Sequence, residues 1–573
     1  MGKKFLYLIY ILSGIVFFVS ISEWMTSSIL FSCVLGFLMG LGEYLFLIKF
    51  KPKFSRLILA ISLAAGAIIS ILAAKGFYDT WITSVNTVRT IVTKIFPDYS
   101  EGLFIISIVV AIMILPFASC LVGLIPRFAK ALQMFEYKKI WAELVKGVTF
   151  VSILKRAGII AANILAACLT GTVLLYAVYL LPVDKIDANV ASSAQTIADE
   201  DMCPSVFSWM TSKIDNYTDS IMLLEASNPS TGSAMNDAMN VPRGDIGELD
   251  PYDTIISHYV DGNEYDETIT YSRYWHGYLI FLKPLLQFLD YRAIRIINGI
   301  IQAITVLTTC FLLFKKGHKI AVVPYFLSFL MLMPVAMAKA FQYSTCFYTF
   351  TIGCIALLLL KEEKRKKQAG LIFLWCGIAT AYFDMLTYPI STFGVPMMFY
   401  LLLADKEDTE SKLSQIIRNA ICWCIGLGAM WVSKWTIASI ITGENKFTDA
   451  LGKVAERTST VSEEGETYSF YSAEIRNFGA FLLTPVTILA AIVMIYMICK
   501  ILKKKLTVRD TVRTLFPFLL TGLAPVAWYA FATNHSMIHF WFTNKACVVT
   551  FLGIVFGLVC LLQTNEKALN KKA

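Results

Sequence analysis

The sequence predicts an all-α polytopic transmembrane bundle of about 14 helices with a mixed extracytoplasmic loop domain. Three observations predict this class. Hydrophobic residues make up 57% of the 573 residues and charged residues only 16%, whereas soluble domains carry about 25% charged residues. The mean hydropathy is +0.64. Lys and Arg cluster in short runs between long apolar stretches, as is typical of membrane proteins.

The apolar stretches define the candidate helices, because crossing a bilayer takes about 20 apolar residues. The pair within 370–404 could also be one span followed by a re-entrant piece. The candidate spans are 5–22, 27–48, 57–75, 102–126, 157–182, 292–314, 320–338, 343–360, 370–386, 390–404, 416–441, 477–499, 514–531 and 546–563.

Basic residues predict the orientation. With Lys3 and Lys4 in the cytoplasm, alternate loops should be basic, and they are: examples are Lys315 to Lys319 and the run KEEKRKK at 361–367. Both termini are then cytoplasmic in a multi-pass protein of the plasma membrane, with a short tail at 564–573. This charge pattern explains the net charge of +9 without nucleic-acid binding, for which no basic groove or aromatic-basic module is present.

The longest polar stretch is the acidic loop, residues 184–276, which we predict to be extracytoplasmic. Its residues 184–273 include 17 acidic and four basic side chains, and such a long polar stretch exceeds an ordinary connector. We expect a partly folded cap. Residues 1–156 form a four-helix accessory region followed by an amphipathic helix on the inner surface, and residues 157–563 form the membrane core.

Paired carboxylates in the acidic loop are the candidate catalytic residues. Asp215 and Asp219 are four positions apart, which places both on one face of a helix, where each raises the pKa of the other. This arrangement suits a general base, although an acidic solvated face is the alternative. The D-x-D pattern at Asp199 and Asp201 makes a divalent metal possible but gives it no further support, so we predict no metal or other cofactor.

A second polar cluster, FDMLTYP at 383–389, lies where two spans meet. Its Asp384 and Tyr388 are candidate substrate-binding residues, because ionisable groups at membrane depth usually mark function. A buried carboxylate must be neutralised or paired. The alternative is therefore an ion pair with Lys339, Lys545 or Arg273 that only holds helices together.

A third cluster, NHSMIHFWFTNK at 534–545, precedes the last span. Its Asn534, His535, His539 and Lys545 are predicted to bind an anionic headgroup or phosphate, which requires donors and positive charge. Two His at i and i+4 can also bind a metal, but a third ligand is missing from the pattern. Simple hydrogen bonding at the membrane interface is the remaining alternative.

The acidic loop returns to the membrane through YSRYWHGY at 271–278. Tyr and Trp here are typical of interface anchors. Aromatic faces also stack on sugar rings, and an adjacent Arg binds phosphate well. Arg273 and His276 are therefore added to the candidate phosphate-binding residues.

The many spans, the long acidic first loop of the core and the aromatic-rich return resemble the GT-C superfamily of membrane glycosyltransferases. The strings YSRYWHGYLIFLKPLL, FDMLTYP and NHSMIHFWFTNK are similar to those of a group of poorly characterised bacterial polytopic proteins. The resemblance covers roughly 157–563. It implies a polyprenyl-phosphate sugar donor, an envelope polysaccharide or glycolipid acceptor, and an acidic catalytic residue in the first outer loop. Four extra spans precede the core, which departs from the common plan.

The resulting hypothesis is inverting glycosyl transfer on the outer face of the membrane. Asp219 or Asp215 is the base, and the cations of the other clusters hold the lipid phosphate. A transporter or flippase of a lipid-linked or anionic substrate is the alternative. Transporters favour midplane sites in repeated halves, whereas here the polar residues lie at the outer boundary. A structural or assembly protein is the third possibility.

Overall fold

The computed structural model describes residues 3–21, 29–50, 56–77, 99–133, 135–207, 209–404, 408–462, 465, 467–468, 471–482 and 484–564. The predicted tail at 564–573 therefore lies outside the described residues, except for Thr564. Two compact units are present. Unit 1 comprises 1–137, 478–519 and 553–573, and unit 2 comprises 138–477 and 520–552. This division differs from the predicted boundary after residue 156, because helices beyond residue 477 belong partly to unit 1.

The described part of the chain is nearly all-α and contains several helices that are candidate membrane spans. Among the described residues, eight helices are long and apolar enough to cross a membrane, and five shorter apolar helices accompany them. The predicted number of about 14 is not confirmed. The eight are Ile108–Lys130, Phe150–Tyr179, Tyr291–Lys315, Phe341–Leu359, Thr409–Thr442, Pro485–Leu502, Val508–Phe531 and Phe540–Gln563; the five are Tyr7–Val16, Cys33–Leu45, Arg56–Leu72, Lys319–Met331 and Ser391–Leu403.

Unit 1 is a bundle in which small residues allow helix backbones to approach closely, as is common in membranes. A Cβ atom at Gly14 would lie 2.6 Å from the carbonyl oxygen of Gly36, and one at Gly40 would lie 2.5 Å from that of Tyr10. The helices of the first part of the chain are Lys3–Ile21, Ile29–Phe50, Arg56–Phe77 and Tyr99–Leu132, and the later ones include Pro485–Leu502 and Val508–Gly522.

Unit 2 contains the candidate site. The short helix Tyr137–Val145, within the predicted amphipathic stretch, has no buried residue. All 13 residues of Ser391–Leu403 are buried, so this helix is the centre of the unit. The helices outside the acidic loop include Phe150–Tyr179, Leu279–Leu286, Tyr291–Lys315, Lys319–Met331, Pro334–Lys339, Phe341–Leu359, Glu362–Phe383, Ser391–Leu403, Thr409–Thr442, Phe447–Arg457, Ala524–Phe531, Thr533–Ile538 and Phe540–Thr543. The helices that extend across the unit boundaries are Tyr137–Val145, Ser472–Leu482, Val508–Gly522 and Val548–Gln563.

The described residues of the acidic loop form four α-helices, a short 3-10 helix at Met210–Ser212 and a two-stranded antiparallel sheet. The α-helices are Asp184–Glu200, Asn216–Ser227, Ala234–Asn240 and Pro251–Tyr259. The antiparallel strands Pro242–Asp245 and Glu267–Thr270 pair in a register that places Pro242 opposite Thr270. Ten of the 12 residues of Asn216–Ser227 are buried. This helix therefore lies inside the fold, and it carries the predicted carboxylates. Placement of the loop outside the cell stays a prediction.

Two helices next to the site, Glu362–Phe383 and Thr409–Thr442, pack through reciprocal glycines. A Cβ atom at Gly377 would lie 2.2 Å from the carbonyl oxygen of Trp423, and one at Gly426 would lie 2.2 Å from that of Leu374. Both distances are far below contact distance and involve backbone atoms that cannot rotate away. The close crossing therefore requires glycine at both positions.

Replacing Gly426 with Ala should push the two helices apart and lower stability by about 1–3 kcal/mol, the usual cost of overpacking. The measurement is the thermal unfolding midpoint of the purified protein in detergent. Gly428→Ala, on the same helix, is the matched control, because a Cβ atom there meets nothing within 4 Å. Equal midpoints for the two variants would contradict the packing argument.

Candidate functional site

Asp215 begins the helix Asn216–Ser227 as its N-cap. Its Oδ1 accepts from the backbone N–H of Thr218 at 3.0 Å, and its Oδ2 accepts from the Thr218 hydroxyl at 3.0 Å. The side chain is almost completely buried, and burial raises its pKa. Gln342 and Trp541 also direct donor groups toward this carboxylate, but neither N–H reaches hydrogen-bonding geometry with a described atom.

Asp219 lies one turn further along and is fully buried. Its Oδ2 accepts from the Tyr291 hydroxyl at 2.5 Å and lies 3.8 Å from Nη2 of Arg295. Its Oδ1 is buried without a hydrogen-bond partner in the described structure. Burial raises the pKa of Asp219 to about 7, because desolvation outweighs the opposing effects of Arg295 and Tyr291. The two predicted carboxylates therefore share one helix but have different partners.

Arg295 connects the acidic loop to the helix Tyr291–Lys315. Its guanidinium donates to Oε2 of Glu200 at 2.7 Å and to Oδ1 of Asn216 at 2.8 Å, and Lys339 donates to Oε1 of Glu200 at 2.7 Å. Burial acts to raise the pKa of Glu200, but the two cations outweigh it and the pKa is lowered. Sequence reasoning missed Arg295, although an arginine one turn inside a predicted span was a usable signal.

His535 and His539 are adjacent, with ring centroids 4.9 Å apart. Nε2 of His535 donates to the carbonyl oxygen of Leu386 at 2.6 Å, and Nε2 of His539 accepts from Nη1 of Arg457 at 2.8 Å. Burial lowers the pKa of His535 to about 3 and that of His539 well below its usual value, with Arg457 contributing to both. Both rings are therefore neutral near pH 7.

Asn534 and Lys545 make mostly backbone contacts. The Asn534 side-chain amide donates to the carbonyl oxygen of Glu456 at 3.1 Å, while its Oδ1 is buried without a described partner. Lys545 is fully buried and donates to the carbonyl oxygens of Thr211 at 2.9 Å and Leu332 at 3.3 Å. Lys545 therefore fastens the acidic loop to the membrane helices, and the geometry favours this role over phosphate binding.

Asp384 accepts only from neutral groups. Its Oδ2 accepts from the backbone N–H of Thr387 at 2.9 Å, and its Oδ1 accepts from the hydroxyls of Thr345 and Thr387. The cation partners considered from sequence do not bind it. Tyr388 is also fully buried and donates to the carbonyl oxygen of Tyr343 at 2.5 Å. These contacts fix the turn between two buried helices.

His276 belongs to a different cluster. Its Nε2 donates to the carbonyl oxygen of Tyr271 at 2.7 Å, and its Nδ1 lies 3.0 Å from Oε2 of buried Glu225, which also accepts from the Tyr278 hydroxyl at 2.5 Å. The backbone of His276 has a φ of 54°. His276 thus shapes the end of the acidic loop, apart from His535 and His539.

Arg273 lines a cavity of about 300 Å³ in unit 2. The wall is mainly apolar and contains four tryptophans, and three cations lie along it. Arg273 is 3.4 Å from Asp449, and Lys453 pairs with Glu456. The lining residues are Arg273, Tyr274, Leu386, Trp423, Cys424, Leu427, Gly428, Trp431, Trp435, Ala450, Lys453, Val454, Arg457, Thr458, Trp528, Phe531 and Ala532.

A series of side-chain contacts links this cavity to Asp215. Leu386 and Arg457 line the cavity and bind His535 and His539. The His539 ring is 5.4 Å from that of Trp541, and the Trp541 side chain acts on Asp215. The contacts thus run from the cavity through Arg457, His539 and Trp541 to Asp215, whereas His276, Asp384, Tyr388 and Lys545 hold parts of the fold. Trp541, Arg457 and Lys453 were not predicted; the partners Asp215 of Trp541 and His539 of Arg457 are distant in sequence.

The candidate site contains no recognisable metal centre. Within the described parts of the chain, no group of three or more His, Cys, Asp or Glu side chains could hold a metal ion. Comparison with protein-family models, with curated proteins and with solved structures gave no match. The functional assignment therefore depends on the geometry of the site.

Stability should depend on pH through Asp219. Because folding raises its pKa from 3.8 to about 7, its contribution is fully present below about pH 4 and is lost as the pH rises through 7. Asp219→Asn removes this dependence. We expect the stability of the variant relative to the natural protein to rise by about 2 kcal/mol between pH 5 and pH 8.

The measurement is the unfolding midpoint in detergent at both pH values. Asp199→Asn, an exposed carboxylate in the same loop, is the control and should show no such rise. The prediction is wrong if the unfolding midpoint of Asp219→Asn differs from that of the natural protein by the same amount at pH 5 and at pH 8.

Proposed function

We propose that this protein transfers a sugar from a polyprenyl-phosphate carrier to a cell-envelope acceptor on the outer membrane face, by an inverting mechanism of the GT-C type. The observation that carries the proposal is a series of contacts from Asp215, one turn before Asp219, through Trp541, His539 and Arg457 to a Trp-lined cavity with cations along its wall. A lipid-linked sugar requires this combination, because one molecule contains an apolar tail, an anionic phosphate and a hydroxyl-rich ring.

The cavity suits the lipid end of the donor. Its tryptophans and leucines match an apolar chain, and Arg273, Lys453 and Arg457 supply positive charge. Asp449 and Glu456 partly balance these cations, so an arriving phosphate would compete with two carboxylates. Negative charge grows on the phosphate as it leaves, and positioned cations stabilise that charge most in the transition state. The proposal thus places the phosphate on Arg273, Lys453 and Arg457.

Asp219 is the better base of the two carboxylates. Its pKa of about 7 is close to the operating pH, where a general base is most efficient. Tyr291 and Arg295 hold Oδ2, which leaves Oδ1 to accept a proton. Both oxygens of Asp215 already accept from Thr218. Asp215 therefore positions the helix and raises the pKa of Asp219.

The proposed reaction balances without a cofactor. The acceptor hydroxyl oxygen attacks the anomeric carbon of the sugar from the face opposite the phosphate. Its proton passes to Oδ1 of Asp219, the new glycosidic bond forms, and the bond between the anomeric carbon and the phosphate oxygen breaks. The lipid phosphate leaves with the electron pair. The predicted topology must place the carboxylates and the acceptor on the same side of the membrane.

Asp219→Asn should lower transfer at least about 100-fold, the usual contribution of a general base. The measurement is mass spectrometry of envelope glycans and of lipid-linked sugars in cells with either form of the protein. We expect one glycan to disappear while its lipid-linked precursor accumulates. Asp199→Asn is the control and should leave both pools unchanged.

Two outcomes would contradict the proposal. If glycans and precursors are unchanged in cells with Asp219→Asn, Asp219 is not the catalytic base. Purified protein in vesicles that moves a lipid-linked sugar between leaflets, with no transfer when acceptor is supplied, would support the flippase alternative instead.

A bulky side chain in the cavity should weaken binding of the lipid-linked donor without lowering the stability of the protein. Gly428 lines the cavity, and a Cβ atom there meets nothing within 4 Å, so Gly428→Phe extends a ring into the cavity with little overpacking. We expect KM for the lipid-linked donor to rise about tenfold or more, through loss of apolar contacts, with little change in unfolding midpoint. Gly452→Phe is the control, because a Cβ atom there also meets nothing within 4 Å and Gly452 does not line the cavity. Equal KM values for the two variants would contradict lipid binding in this cavity.

A further inference from the structure

The partners of His535 and His539 fix which ring nitrogens carry hydrogen. A carbonyl oxygen only accepts, so Nε2 of His535, 2.6 Å from the Leu386 oxygen, carries the hydrogen. A guanidinium only donates, so Nε2 of His539, 2.8 Å from Nη1 of Arg457, offers its lone pair. In neutral rings the remaining nitrogens are then opposite in kind: Nδ1 of His535 is an acceptor, and Nδ1–H of His539 is a donor.

Both rings stay neutral because of their surroundings. His535 is 3% exposed. Arg457 contacts His539 directly, and Lys453 adds further positive charge nearby. Phe542 stacks on the His539 ring at 5.2 Å and gives no polar compensation. The other contacts of this pair are also aromatic: Phe542 lies 6.0 Å from the His535 ring, and Trp541 lies 5.4 Å from the His539 ring. No carboxylate among these contacts would stabilise an imidazolium.

Both Nδ1 atoms are buried, and neither has a hydrogen-bond partner within the described residues. Asn534 Oδ1, Ser536 Oγ and Trp541 Nε1 are also buried without a hydrogen-bond partner among the described residues. A buried polar atom without a partner costs free energy, and such atoms are rare. Five of them in one short stretch, 534–541, therefore require a common explanation. The set contains two acceptors, two donors and one hydroxyl, which can act as either.

This mixture of donors and acceptors determines the ligand class. A phosphate accepts hydrogen bonds only, so the acceptors His535 Nδ1 and Asn534 Oδ1 would repel it. A hydroxyl both donates and accepts, and neighbouring hydroxyls on a ring satisfy adjacent acceptors and donors together. We infer that His535 and His539 bind hydroxyl groups of a neutral sugar or polyol ring. The inference deepens the proposed function, and it rests on that function for the identity of this ring as part of the donor or acceptor.

The test measures binding without catalysis. Saturation-transfer NMR on the full-length protein in detergent would use methyl glycosides of glucose, galactose, mannose and N-acetylglucosamine, with myo-inositol and inorganic phosphate as further probes. We expect at least one neutral ring compound to bind, with an affinity that is flat from pH 5 to pH 8. An imidazolium phosphate site would instead weaken as the pH rises through about 6.5.

Two variants of His539 separate ligand binding from packing. His539→Asn keeps an N–H near the position of Nδ1, whereas His539→Gln keeps an acceptor for Arg457 but removes that donor. We expect His539→Gln to weaken binding of the neutral compound at least about fivefold, the effect of losing one buried hydrogen bond, and His539→Asn to retain more of it. Unfolding midpoints measured alongside identify any variant that is damaged as a whole.

The outcomes distinguish this inference from the proposed function. Binding of no neutral ring compound, or equal binding by His539→Asn and His539→Gln, overturns the inference. Phosphate binding that both variants lose also overturns it. If the His539 variants behave as expected while Asp219→Asn leaves glycans unchanged, hydroxyl binding by His535 and His539 is supported and the role of Asp219 as the base is contradicted. If Asp219→Asn abolishes transfer while no neutral compound binds, only the inference fails.

Discussion

The salt bridge between Arg295 and Glu200 is the interaction on which the candidate site depends. It joins a membrane helix to the acidic loop, and it places a cation beside Asp219 at 3.8 Å. A buried carboxylate without a nearby cation has a still higher pKa. One fully bound to a guanidinium would stay ionised. Arg295 binds Glu200 and Asn216 more closely than it binds Asp219. The pKa of Asp219 therefore lies between these two extremes.

Two buried lysines also join the acidic loop to the helices, through backbone carbonyl oxygens instead of carboxylates. Lys545 donates to the carbonyl oxygens of Thr211 and Leu332, and Lys434 donates to those of Ala238 and Met239. Each lysine lies on a membrane helix, and at least one of its acceptors belongs to the acidic loop. The lysines therefore fasten the loop to the helices by hydrogen bonds to backbone carbonyl oxygens. This attachment keeps Asn216–Ser227 in place while its carboxylates remain free of strong ion pairs.

The sequence predicted the local parts of this site better than the contacts between them. Spacing placed Asp215 and Asp219 on one helix, and the structure has them in one capped turn. Apolar length predicted membrane helices, although it could not separate long spans from short buried helices such as Ser391–Leu403. Glu200 and Lys339 are 139 positions apart, and Arg457 and His539 are 82 apart. No local pattern encodes such pairs, so sequence reasoning assigned His539 a positive charge that burial, together with its contact with Arg457, prevents.

The turn after Phe383 shows how residues without a direct role in binding can determine the site. Leu386 has a φ of 70°, a strained conformation for a side chain of this size. Asp384 accepts from the N–H of Thr387, and Tyr388 bonds to Tyr343, so both sides of Leu386 are held. The strained residue directs its carbonyl oxygen at Nε2 of His535, which fixes the hydrogen on that nitrogen and leaves Nδ1 as an acceptor. Asp384 thus acts through the backbone: its carboxylate, which accepts from Thr345 and Thr387, sets the polarity of a histidine 151 positions further along the chain.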